Sequence, residues 1–191
     1  MPIHTSVISS YLSWLEDQDY HLKVTLNFKP NTKSHQAVIH ARKFWNMIDR
    51  AVYGANAVKR HHRRLNRICV LEGVQSLDQN TQPIPKSVGS GVADTANTTT
   101  LVITHLPARS ASFANANPHY HCAVKAPDHV TQEQLADLIL DTWNHMRCAG
   151  RFSQVQIIHQ PSRTKWLGYI LKHAGLDAIC LQTSTIRDPT K

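Results

Sequence analysis

The residues best suited to chemistry are His119 and His121, flanking Tyr120, and farther along the chain Tyr169 with Lys172 three positions after it. Side chains alternate along a strand, so histidines separated by one residue project from the same side of a sheet and can hold one metal ion between them. A tyrosine and a lysine three apart on a helix share a face, which presents a nucleophile and a cation together to a phosphate near such an ion. The two patterns together point to phosphodiester chemistry.

Plainer explanations exist for each residue. The chain has 13 histidines, and the neighbours His61 and His62 are a reminder that clustering alone carries little weight. His119 and His121 stand apart by their strand spacing and by the apolar residues after them. A tyrosine one turn from a lysine is ordinarily the edge of an amphipathic helix. Here Leu167, Ile170, Leu171 and Ala174 supply a separate core face, which releases Tyr169 from packing. Trp166 reads as core, with base stacking as the alternative.

The elements that must position these residues follow from periodicity. Leu22, Val24, Leu26 and Phe28 alternate with polar residues, the pattern of a half-buried strand that stops at Pro30. Over 34–53, Val38, Ala41, Trp45, Ile48 and Val52 recur at helical steps, and Gly54 supplies a stop. An amphipathic stretch near 7–15 precedes them. Strands are expected over 67–74, 119–125 and 154–159, and helices over 131–148 and 162–173. Shorter strands are expected near 101–104 and 178–183. Residues 75–118 are rich in Ser, Thr, Asn, Gln, Gly and Pro and read as a long loop or insertion. This order predicts an α+β fold in one domain over 1–191. Its sheet should be mostly antiparallel with flanking helices, of ferredoxin-like or RNA-recognition type.

Composition narrows the setting. With 191 residues and 41% hydrophobic content, the chain is long enough to bury a core without disulfides. Cys69, Cys122, Cys148 and Cys180 form no CxxC pair, so a reducing cytoplasm is the expected compartment. No apolar run approaches the roughly 20 residues that cross a bilayer, so no membrane is expected as partner. Lysine and arginine number 21 against 13 acids, a formal charge of +8 that makes nucleic acid the leading partner. Lys59, Arg60, Arg63, Arg64 and Arg67 crowd one segment after Gly54, as contacts to phosphate or as a solvated helix end.

The triplet His119-Tyr120-His121, the downstream Tyr169-Ile170-Leu171-Lys172 and the strand from Val24 to Pro30 resemble the ordered motifs of HUH endonucleases. The likeness is to the single-tyrosine kind found in rolling-circle replication initiators, and it covers roughly residues 23–173. It implies a divalent metal ion, Mn2+ or Mg2+, held by His119, His121 and an acid on the neighbouring strand, for which Glu72 is the fitting position. It further implies Tyr169 as the nucleophile that forms a 5′-phosphotyrosine, and Lys172 as a cation on the phosphate. Lys165, one turn before Tyr169, joins Lys59, Arg60, Arg63 and Arg64 as DNA-binding candidates. Imidazoles bind several transition ions while magnesium prefers oxygen, so ligand type does not choose the metal. A structural zinc site would want four ligands, and Cys122 points to the other face of the strand.

The expected activity is site-specific nicking and rejoining of single-stranded DNA or an origin hairpin, initiating rolling-circle replication of a plasmid or phage. Host replication proteins are expected as further partners. The alternatives are a single-tyrosine transposase using the same residues on element ends, and a non-catalytic nucleic-acid-binding module.

Overall fold

Strand β1 (Leu22–Asn27) buries every second residue, as its alternation requires. Helix α1 (Ser34–Tyr53) follows, with the Lys33 N–H donating to the Gln36 side chain at its start (3.3 Å) and Gly54, at φ +83°, closing its end. That φ suits glycine because it has no Cβ to clash. A short helix α2 (Ala55–His61) leads to β2 (Arg67–Glu72), then β3 (His119–Val124), α3 (Gln132–Asn144), β4 (Gln154–Ile157) and α4 (Gln160–Ala174). The computed structural model describes residues 12–73, 118–174 and 184–185. Most of the polar stretch 75–118, and the strands expected at 101–104 and 178–183, lie outside them.

The sheet order is β2-β3-β1-β4, and every neighbouring pair is antiparallel. This is the split βαβ arrangement of a β-α-β-β-α-β chain, so the α+β expectation with helices flanking an antiparallel sheet holds. Its first crossover carries two helices, α1 and α2. One face packs Leu22, Val24, Leu26, Tyr120, Cys122 and Val124 against Ala41, Phe44, Trp45 and Ile48 of α1 and Leu135, Ile139 and Trp143 of α3. Phe44 and Phe28 meet the Trp143 ring edge-on, each at 5.1 Å. The other face is covered near β2 and β3 by Leu167 and Ile170 of α4 with Leu15, Tyr20 and Ile158.

Helix α3 ends sooner than its pattern suggests, at Asn144 rather than Cys148. The chain turns because its backbone is drawn to β1. The Cys148 carbonyl accepts from Lys29 N–H (3.0 Å), and Gly150 N–H donates to the Asn27 carbonyl (2.7 Å). A Cβ at Gly150 would fall 2.3 Å from the Phe28 carbonyl oxygen, so only glycine allows this approach. At its other end α3 carries a capping box, in which the Thr131 hydroxyl accepts from Gln134 N–H while the Gln134 side chain accepts from Thr131 N–H.

No helix among the described residues is long and apolar enough to cross a membrane.

Candidate active site

Register decides what surrounds the histidines. Glu72 of β2 lies opposite His119, and His119 opposite Asn27 of β1. One step inward, His121 stands between Val70 and Thr25, and Thr25 pairs onward with Gln154 of β4. Because the partners of an antiparallel ladder share a face, Glu72, His119, His121, Thr25 and Asn27 all project toward α4. Cys122 and Tyr120 project the other way into the core, as the parity of the triplet predicts.

The three metal-ligand candidates converge. Ligand atoms of Glu72, His119 and His121 all lie within 4.8 Å of one another, and this cluster can hold a metal ion. Glu72 Oε2 is 3.4 Å from His119 Nε2 and 3.6 Å from His121 Nε2, so both imidazoles aim the same nitrogen at one carboxylate. His121 is 7% exposed, while His119 and Glu72 are half-buried. The other nitrogen of His121, Nδ1, lies 3.2 Å from the Thr25 hydroxyl. With Nδ1 protonated and donating to Thr25, Nε2 keeps its lone pair for an ion, the usual way an outer partner orients a ligating histidine. Two imidazoles and a carboxylate suit a divalent transition ion and, with fewer than four protein ligands, leave coordination positions open.

Helix α4 brings the tyrosine to this cluster. The Tyr169 ring lies 5.6 Å from the His121 ring, edge to face, and is 45% exposed, while Leu167 and Ile170 of the same helix are fully buried. Trp166, expected as core, is only partly buried. It stacks on Tyr169 at 5.5 Å with an interplanar angle of 14° and meets His121 at 5.3 Å. Its indole N–H donates to the Cys122 carbonyl (3.4 Å), which ties the helix to β3. Lys172 belongs to α4, but its side chain lies outside the described residues.

The helix is held by a charged latch. Arg163 Nη2 lies 2.7 Å from Asp19 Oδ1, and His21 Nε2 lies 3.2 Å from Asp19 Oδ2, with Lys125 at 4.0 Å. The His21 Nδ1 accepts from Ala126 N–H (3.1 Å), so Nε2 is the nitrogen that donates to Asp19. Burial pushes the Asp19 carboxyl up, but the His21 hydrogen bond and the charges of Arg163, His21 and Lys125 together outweigh it and hold the acid below its ordinary range.

Beyond Tyr169 a cavity of about 360 Å³ is lined by Lys23, Gln156, His159, Ser162, Lys165 and Trp166 among others. The Lys23 ammonium sits 5.3 Å over the Trp166 ring. Lys165, singled out in the sequence, is therefore beside the tyrosine. Lys23 and Thr25 were not singled out. Their signal was their alternation with the buried residues of β1, but which strand they face is fixed only by the β1–β3 pairing.

The basic segment lies elsewhere. Arg67 starts β2 and Glu72 ends it, so Lys59, Arg60, Arg63 and Arg64 precede the end of the sheet opposite the histidines. Lys59, Arg60 and Arg63 are exposed. Arg64 and Arg67 instead turn inward to the buried Asp49 of α1, with Arg67 Nη1 2.8 Å from Asp49 Oδ1 and Arg64 Nη1 3.5 Å from Oδ2. A carboxylate at 0% exposure demands such partners.

No family model, curated protein or solved structure matches the chain.

Proposed function

We propose that the protein is a metal-dependent single-stranded DNA nickase and strand transferase of HUH type, with Tyr169 as its nucleophile. The observation that carries this reading is the meeting of Tyr169, half-exposed on α4, with the Glu72-His119-His121 cluster on the adjoining sheet face. The surrounding cations and the charge of +8 favour a polyanionic substrate.

Glu72, His119 and His121 would hold a Mn2+ or Mg2+ ion, which would supply Lewis-acid polarisation of the scissile phosphate. Thr25 keeps His121 oriented for that role. The Tyr169 oxygen attacks phosphorus, the bond from phosphorus to the 3′ oxygen breaks, and the 5′ phosphate stays on the tyrosine. The phenol gives up its proton and the departing 3′ oxygen gains one. Neighbouring positive charge stabilises the oxygen as it attacks. Lys23 and Lys165 flank the phosphate path, and Lys172 is assigned to the developing charge. Since the phosphotyrosine keeps the bond energy, attack by a 3′ hydroxyl runs the sequence backward and joins strands. A half-exposed tyrosine beside a partly buried cluster suits an unpaired or extruded strand, such as an origin hairpin loop in rolling-circle replication.

Incubation with Mn2+ and pools of single-stranded oligonucleotides tests the reading. The wild type should yield a free 3′ hydroxyl and protein-bound DNA, and Tyr169→Phe should yield neither. Nicking that survives in Tyr169→Phe removes the tyrosine from the chemistry.

A further inference from the structure

A second concentration of charge lies on the opposite face of the sheet from the histidines and at its opposite end. It surrounds a cleft of about 420 Å³ lined chiefly by Arg42, Lys43, Asn46, Asp49, Arg64 and Arg67. Asp49 is the one acid among these residues, and its Oδ1 already accepts from Leu65 N–H (2.9 Å) and Arg67 Nη1 (2.8 Å). The Arg67 guanidinium is fixed further by lying 4.8 Å over the Trp45 ring. Arg64 Nη1 donates to Asn46 Oδ1 (3.0 Å), so it too is set in place before any ligand arrives. Four cations against one carboxylate leave the cleft strongly positive, more than the burial of Asp49 requires.

We propose that this cleft is an exosite for the phosphate backbone of double-stranded DNA. The role in which that duplex flanks the strand cut at Tyr169 rests on the nickase reading. Arg42, Lys43, Asn46 and Asp49 fall on one stripe of α1, and Lys59 and Arg60 on α2 and Arg63, which precede Arg64 in the chain, are exposed as well. A polyanion with charges every few ångströms satisfies such a spread, whereas one small anion does not. An acidic protein would also want apolar anchors, and the lining offers little beyond Ile39 and Trp45. The Arg64 guanidinium, held in fixed orientation and partly exposed, favours the two-oxygen recognition that phosphodiesters provide.

The separation has a geometric consequence. Arg67 and Glu72 are about 17 Å apart along β2 at roughly 3.3 Å per residue, and they serve opposite faces. Strand β2 is an edge of the sheet. DNA held in the cleft and cut at Tyr169 would have to pass from one face of the sheet to the other, so several unpaired nucleotides would separate the duplex from the cut bond.

The double substitution Arg42→Gln/Lys43→Gln removes two exposed charges and leaves the Asp49 network intact. Binding of a labelled random-sequence DNA duplex, followed by anisotropy over a salt series, should weaken, with the slope of log affinity against log salt shallower by about 2. An unchanged slope overturns the exosite. So does an equal change in Lys33→Gln/Arg147→Gln, which removes the same charge away from the cleft. Weaker binding of polyglutamate with an unchanged duplex slope overturns it in favour of an acidic protein partner. Wild-type protein assayed in parallel for covalent DNA separates the two readings. A shallower slope without any adduct keeps the exosite and ends the nickase reading, and an adduct with an unchanged slope does the reverse.

Discussion

Among the described residues, one face of the sheet is filled and the other is only half closed. Toward α1 and α3 every strand position but Arg67 is apolar and Trp45 and Trp143 are almost wholly buried, so this face stores stability. Toward α4 the apolar strand positions are Ile68, Val70 and Ala123, and the remainder is Glu72, His119, His121, Lys23, Thr25, Asn27, Gln154 and Gln156. Polar side chains in such positions are costly unless they pair or bind something. The contrast teaches that the same alternation which builds the core also delivers the site, one residue out of phase.

Substitutions on the two faces should separate stability from activity. The largest effect is expected from Trp143→Ala, which empties the centre of the filled face and should lower the unfolding free energy by about 3–5 kcal/mol in denaturant titration. Next comes His119→Ala on the open face. It should fold normally yet lose more than about 100-fold in metal-dependent cleavage, since even partners behind a ligand are worth about 10- to 100-fold. If His119→Ala unfolds the protein while cleaving at its normal rate per folded molecule, the two faces do not divide the labour in this way. Thr25→Val should be milder, weakening Mn2+ affinity by about 10-fold in calorimetry through loss of the His121 Nδ1 contact.

The smallest effect concerns the latch on α4. Asp19 titrates lower folded than unfolded, so its contribution is complete above the unfolded value of about 3.9 and is lost as pH falls through the lower folded value. Asp19→Asn should therefore flatten the acid side of the stability profile. It should also reduce protection of α4 amides in hydrogen exchange more than those of α1.

Much of this architecture was legible in the residues. The bounds of α1 agree with its apolar spacing and Gly54, because a helix that buries one stripe writes that stripe into the sequence. The triplet's parity placed Cys122 away from the histidines, and the apolar face of α4 left Tyr169 outward. What was not legible depends on which distant residues meet. Asp49 interrupts a core stripe and makes sense only beside Arg67, and the early end of α3 is set by its pairing with β1. The basic segment and the histidines were both read as serving one DNA substrate. The direction of β2 puts them at opposite ends, although Arg67 and Glu72 already marked those ends.

The central claim, that Tyr169 attacks a phosphate beside a metal held by Glu72, His119 and His121, is tested most directly by mapping the covalent adduct. After reaction with Mn2+ and single-stranded DNA, protease digestion and mass spectrometry should find the nucleotide mass on the peptide containing Tyr169, and not in protein treated with a chelator. A nucleotide mass on any other residue, or one on Tyr169 that persists undiminished under chelation, would contradict it.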